Sequence, residues 1–311
     1  MDFELSEEQR AIAQMADSLF VDHCHDDYMR QWDNSGEPIM APLWALSIET
    51  GLHALAIPEE HGGSGLGMTE LMVVLQAQGK ALAQVPLWRH QLAAATLAQF
   101  AASQCGAWVD KAASGEALLS LSIDGLNHAL GIELHGQATS AGWSINGRVA
   151  ALPLGAQVDA ALVLVEVKKQ PRLLLLDLSA AEIQKVPAVL THGESVADLH
   201  IHGLTVEAGA LLPAEAVAWL ELRSVAALAA LQLGVSEEQI RRTVAYVSER
   251  RQFERSIGSF QAVQMSMADT HIAVEALRTA LWQLVYRIDA GLPAPSEALA
   301  TACLACEAGR R

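Results

Sequence analysis

Cysteine is scarce in this chain of 311 residues: Cys24, Cys105, Cys303 and Cys306 fall far short of the density of a disulfide framework. Reduced, structural thiols are expected. Basic residues are scarce as well. Against 36 acidic side chains stand 20 Lys and Arg, a net charge of -16 that repels nucleic acid and anionic membranes. Any anionic ligand must therefore be held by a local basic cluster. Long apolar runs are missing too: although 51% of residues are hydrophobic, stretches such as 160–165 and 225–231 do not reach the roughly 18 to 20 residues needed to cross a bilayer. The start, Met1-Asp2-Phe3-Glu4-Leu5-Ser6-Glu7-Glu8, is acidic and leads straight into a helical pattern, whereas a secretory signal opens basic and then apolar. A cytoplasmic protein is expected, long enough for two or three domains.

Two segments invite a metal reading. Cys303 and Cys306 form a C-x-x-C, but Ala302, Leu304, Ala305 and Ala308 around them suggest a helix, on which this spacing sets two small apolar side chains on one face. His23-Cys24-His25-Asp26-Asp27 looks more like a ligand set, yet no second cluster follows at zinc spacing. A polar segment between helices is the plainer reading, and no metal is expected.

Along the chain the texture changes twice. Behind Ser6, a candidate N-cap followed by Glu7 and Glu8, the apolar positions Ile12, Met15, Leu19 and Phe20 recur at helical spacing. Further helical stretches are expected over 42–51, 68–83 and 90–111. From about Ala117 short alternating runs take over, at 118–123, 131–135, 143–149, 160–165, 172–176 and 198–206, separated by turn residues. Helical periodicity returns beyond Pro213, to about Arg250 and again over 260–290, until Pro293 and Pro295 break it. The expected architecture is an all-α domain (1–116), a small antiparallel β domain (117–208) and an α-helical bundle (209–311).

Three segments carry a family resemblance. Gly51-Leu52-His53-Ala54-Leu55-Ala56-Ile57-Pro58-Glu59-Glu60-His61-Gly62-Gly63-Ser64-Gly65-Leu66-Gly67 is a glycine-rich turn whose Gly62, Gly63, Gly65 and Gly67 permit positive φ. Tyr246-Val247-Ser248-Glu249-Arg250-Arg251-Gln252-Phe253, continued by Ile257-Gly258-Ser259-Phe260-Gln261 and Met267-Ala268-Asp269, is the most specific. If the helix runs on, Arg250 and Phe253 share one side of its end, a cation beside an apolar plate. Arg241, Arg242, Arg250, Arg251 and Arg255 concentrate charge in an acidic chain. Guanidinium forks suit a pyrophosphate; the competing reading is a solvated face balanced by Glu237, Glu238, Glu249 and Glu254. The third segment is Gly142-Trp143-Ser144-Ile145-Asn146-Gly147-Arg148, followed by 156–165.

In this order, over nearly the whole chain, these segments resemble the acyl-CoA dehydrogenase family, with helical, β and helical domains in turn. The resemblance implies an FAD-dependent oxidoreductase that desaturates a CoA thioester. It also implies that Arg250, Gln252, Phe253, Ile257, Phe260 and Gln261 reach across a subunit interface to the FAD of a neighbour. Departures from the family concentrate at the chemistry. Glu254 stands in place of a turn glycine, Ala151 in place of the tryptophan beside the flavin ring, and Pro153 in place of a hydroxyl donor. Ser122-Ile123-Asp124-Gly125-Leu126-Asn127-His128 replaces an upstream flavin-site signature.

The reaction needs a carboxylate base with a raised pKa in a dry pocket. The family sets it in one of two regions; the sequence stops at Arg311 before the first, and the second falls on Ser224, which cannot serve. Glu221, one turn earlier, is a weak candidate whose plainer role is a surface carboxylate beside Arg223. No catalytic residue is assigned. The expectation is a short subunit that pairs with a full-length, base-carrying homologue, as in heteromeric α2β2 dehydrogenases of bulky CoA esters, including steroid side chains. A truncated but ordinary homomeric enzyme and a non-redox CoA-ester binding or assembly protein are the alternatives. Apolar faces over 225–233 and 272–284 are expected to need a neighbour.

Overall fold

The computed structural model describes residues 4–126 and 130–310. Met1, Asp2, Phe3, Asn127, His128 and Arg311, named above, lie outside the described residues. In chain order the elements are α1 (Glu7–His23), α2 (Asp26–Asp33), α3 (Ala41–Glu49), α4 (Met68–Ala81), α5 (Leu87–Ser114), β1 (Leu119–Ser122), β2 (Leu134–Thr139), β3 (Gly142–Pro153), β4 (Ala160–Val167), β5 (Gln170–Asp177), β6 (Ile183–Val189), β7 (Ser195–Val206), α6 (Glu215–Glu249), β8 (Arg251–Gln252), β9 (Arg255–Ser256), α7 (Gln261–Asp289) and α8 (Pro295–Arg310). The helical, β, helical order matches the sequence reading. The chain groups into two units, one of residues 1–30, 67–84 and 222–311, the other of residues 31–66 and 85–221.

In the second unit, β1 to β7 form one sheet of order β1-β4-β2-β3-β7-β6, with β5 on β4. Its pairings are antiparallel, as expected, except that β1 runs parallel to β4 and β2 meets β4 in parallel at His135 and Glu166. The alternating side chains Ile145, Leu152, Val163, Val165, Leu174, Leu199 and Ile201 close the core on one face. β6, which the sequence reading passed over, is an edge strand, the one place where Pro187 costs no ladder hydrogen bond. Beside the sheet, His53 and His90 stack with ring centroids 6.0 Å apart, and Trp44 meets both edge-on.

Burial pulls His90 down to about 3 and His53 below its ordinary value. The Leu119 N–H donates to His90 Nδ1 (3.1 Å) and His90 Nε2–H to the Ala112 carbonyl (3.2 Å). The folded ring is neutral, and protonation at Nδ1 would break the bond that pins β1. Since the folded pKa lies below the ordinary 6.5, the unfolded chain binds more protons between those values. Stability is full above pH 6.5 and falls as pH drops towards 3. At pH 5 the loss from His90 alone is about 2 kcal/mol. Denaturant titrations at pH 7 and 5 should show it, and His90→Gln should flatten the slope; equal slopes would remove His90 as the cause.

In the first unit, Ser6 caps α1 reciprocally with Gln9. Ala16 and Phe20 form its buried face, while Met15 is exposed and Ile12 and Leu19 are half-buried. α4 and α6 approach closely through Gly79 and Gly234: a Cβ on Gly234 would lie 2.0 Å from the Gln76 carbonyl oxygen, one on Gly79 2.2 Å from that of Leu231. The Asp289 carboxylate at the end of α7 accepts from the Met68 and Thr69 amides (2.8 and 3.0 Å) and the Thr69 hydroxyl, holding the N-terminus of α4.

Two expectations for the C-terminal helices change. By length and composition α6 suffices to cross a bilayer, but half of its most apolar stretch is buried within the protein. The 225–233 and 272–284 faces are also mostly covered: Ala226, Ala227, Ala229, Ala230, Leu233, Val274, Leu277, Leu281 and Leu284 are buried, leaving Leu228 and Ile272 exposed. What the chain leaves uncovered lies between those stretches. None of residues 237–273 is buried.

Candidate functional site

That uncovered segment is an arm: the second half of α6, the β8–β9 hairpin and the first half of α7. The expected helical alignment of Arg250 with Phe253 does not occur, because α6 ends at Glu249 and the chain turns back as a two-stranded ribbon. Gln252 pairs with Arg255 and Arg251 with Ser256, and the Ile257 N–H donates to the Arg250 carbonyl at 2.8 Å, extending the ladder by one step. Side chains alternate across a strand. Arg250, Gln252 and Arg255 therefore share one face, and Arg251 and Ser256 the other.

At the tip, Phe253 is 86% exposed. It meets Phe260 edge to face at 6.3 Å, and the Arg255 guanidinium lies over the Phe260 ring at 3.9 Å. Ile257 is half-buried, Phe260 precedes α7, and Gln261 opens it. The structure thus brings Arg250, Gln252, Phe253, Ile257, Phe260 and Gln261 to one end of the arm.

The arginine cluster separates into two kinds. Arg241 and Arg242 are both held by Glu238, and Arg242 also by Asp26 at 2.9 Å; Arg251 donates to the Glu254 carbonyl at 2.8 Å. Glu237 pairs with Lys80 and Arg278. The balanced, solvated face accordingly accounts for Arg241 and Arg242. Among the described residues no hydrogen bond or ion pair engages the side chains of Arg250 and Arg255.

Phe253 and Glu254 both adopt left-handed backbone, φ 50° and 64°, the geometry of a type I′ turn that favours glycine at its second position. A left-handed non-glycine residue costs about 1–2 kcal/mol. Glu254→Gly should tighten the hairpin by about 1 kcal/mol, slowing exchange of the Ile257 amide roughly fivefold. Faster exchange would mean that the Glu254 side chain itself holds the turn.

The other singled-out segments have structural work. In the glycine-rich loop, Gly62 and Gly65 take positive φ (87° and 62°), but Gly63 is needed for close approach, a Cβ there falling 2.1 Å from the Ile57 carbonyl oxygen. The amides of Ser64, Gly65 and Leu66 donate to the carbonyls of Ala54, Ile57 and Leu55. They are spent within the loop. Gly67 is not at positive φ; a Cβ on it would meet Asp289. His23 bonds the Leu19 carbonyl, and Asp26 and Asp27 pair with Arg242 and Arg30. All four cysteines are free, Cys24 pushed up to about 11 by burial; Cys303 and Cys306, expected on an apolar face, are exposed.

The two departures in the β region converge on one cavity of about 180 Å³, lined by Ser122, Asp124, Glu133, Arg148, Val149 and Ala151 among others. Ala151 sits in a bulge of β3 at φ 46°, and its N–H donates to Asp198 Oδ1 at 2.8 Å. Burial works against ionisation of Asp198, yet the Ala151 amide and Arg148 hold its carboxyl below the usual range. Arg148 also reaches Glu133 at 3.7 Å. No aromatic side chain lines the cavity among the described residues, the Pro153 carbonyl is taken by Ser120 Oγ, and ligand pockets usually span roughly 300–1,000 Å³. It does not fit a tricyclic flavin ring; the arm, with free guanidinium groups beside aromatic rings, fits a dinucleotide diphosphate.

Ser224 on α6 is 3% exposed, and its hydroxyl has no hydrogen-bond partner among the described residues. Beside it burial pulls Arg223 down to about 10, against the charge of Asp289. Glu221 is half-buried.

Comparison with known proteins defines the class. Residues 6–116 match the acyl-CoA dehydrogenase N-terminal domain and residues 223–311 the acyl-CoA dehydrogenase C-terminal domain. The chain is 31% identical over its whole length to acyl-CoA dehydrogenase FadE27 of Mycobacterium tuberculosis, covering 86% of that protein. Among solved structures it is similar to a chain of the ChsE4-ChsE5 complex from Mycobacterium tuberculosis (TM-score 0.93, 31% identity, 100% of this chain and 85% of that one). It is also similar to the Tcur3481-Tcur3483 steroid ACAD G363A variant (TM-score 0.90, 29% identity, 97% and 84%). The chain belongs to the acyl-CoA dehydrogenase family, whose members are FAD-dependent oxidoreductases.

Proposed function

We propose that this chain is a cytoplasmic subunit of an FAD-dependent acyl-CoA dehydrogenase acting on a CoA thioester, and that its arm completes an FAD site held mainly by a full-length, base-carrying partner. The observation that carries this reading is the arm itself. None of residues 237–273 is fully buried, and the segment presents Val244, Tyr246, Phe253, Met265 and Ile272 to the outside. Exposed apolar surface of this kind marks an interaction site.

When bound, FAD supplies the hydride acceptor for α,β-desaturation. The contribution of this chain is binding and orientation: Arg250 and Gln252 hold the diphosphate from one face of the hairpin, and Phe253, Ile257, Phe260 and Gln261 pack around the adenosine. The proton is left to a carboxylate of the partner, since Ser224 has none to offer. The division into domains 1–116, 117–208 and 209–311 belongs to the same reading. Similarity to two-component complexes, one of them a steroid ACAD, supports a heteromer acting on bulky CoA esters.

The test is co-expression with a full-length homologue. The two chains should co-purify with bound flavin and desaturate a CoA thioester from a panel of short, long and polycyclic esters. A stable, flavin-free monomer that ignores such partners would end the reading.

A further inference from the structure

Resting on that reading of the arm, we propose that Arg255 is a second phosphate-binding residue, which grips the diphosphate together with Arg250. The sequence reading left Arg255 outside the ligand set. Three observations set it inside.

First, ribbon register puts Arg255 directly opposite Gln252 and on the same face as Arg250. Opposed side chains of an antiparallel pair have Cβ atoms roughly 4.5–5.5 Å apart. The face therefore gathers two guanidinium groups and an amide, donors of the kind that adjacent phosphate groups accept from. Second, Arg255 is held in place without being used up. Its guanidinium lies over Phe260 at 3.9 Å, and stacking on a ring leaves the in-plane N–H donors free. Third, no described carboxylate pairs with it, although Glu249 and Glu254 are near in sequence, whereas Arg241, Arg242 and Arg251 are all engaged. In a chain of net charge -16, two uncompensated guanidinium groups on one face are the local exception that an anion requires.

The experiment titrates FAD into the reconstituted, flavin-stripped complex, with variants of this chain and a wild-type partner. Arg255 is exposed, so its variants should fold. Arg255→Ala should weaken FAD binding about tenfold or more. Arg255→Met, which keeps an apolar stem over Phe260, should weaken it equally, and both should show a shallower dependence of Kd on salt. Wild-type affinity in Arg255→Met would reduce Arg255 to packing and overturn the proposal. If neither Arg255 variant changes Kd while Arg250→Ala does, Arg255 is excluded and the shared-site reading stands. If Arg250→Ala also binds FAD as the wild type does, the shared-site reading itself falls, and this proposal with it.

Discussion

Arg250→Ala in this chain, assembled with a wild-type partner, is expected to lower FAD affinity roughly tenfold to a hundredfold. A hydrogen bond to a charged group contributes about 1.5–3 kcal/mol, and each 1.4 kcal/mol is a factor of ten. No other group of the chain competes for this side chain among the described residues, so its donors are available to a ligand. Arg250→Lys should rescue only part, because an ammonium keeps the charge and loses the fork. Arg251→Ala should cost much less, since Arg251 lies on the opposite face of the ribbon and donates to the Glu254 carbonyl. Flavin content of the purified complexes gives the answer; equal occupancy in Arg250→Ala and wild type would remove the physical support for a shared site.

The isolated chain is expected to show negligible dehydrogenase turnover with any acyl-CoA and an artificial electron acceptor, whereas the complex should be active. Two features argue for this. The position that the sequence reading takes for the base holds Ser224, a buried hydroxyl that cannot serve as the base, and the cavity where the two altered β segments meet has no aromatic lining among the described residues and is too small to seat a flavin ring. Glu221, one turn before Ser224 on α6, is half-buried and is the weak candidate that the sequence offers. It should prove dispensable: Glu221→Gln in the complex should leave the kinetics unchanged. Turnover by the chain alone, or loss of activity in Glu221→Gln, would return a catalytic base to this subunit.

Much of the fold was legible because it rests on local pattern. The Ser6 cap, the apolar spacing of α1 and the alternation of β3, β4 and β7 each report contacts made within a few residues. β6 was missed because an edge strand needs neither strict alternation nor the absence of proline. The hairpin was missed because Phe253 and Glu254 take a backbone normally left to glycine and asparagine.

The sequence alone determined the family, the order of helical and β regions, the absence of a carboxylate at Ser224 and the set of residues gathered at the arm. Tertiary structure alone decided which arginines are available. Five look alike in sequence, but Arg242 finds Asp26 from the far end of the chain, Glu238 also holds Arg241, and the ribbon turns Arg251 away from Arg250 and Arg255. The reason is that charge is read residue by residue, whereas its compensation depends on which distant carboxylate the fold brings within about 4 Å.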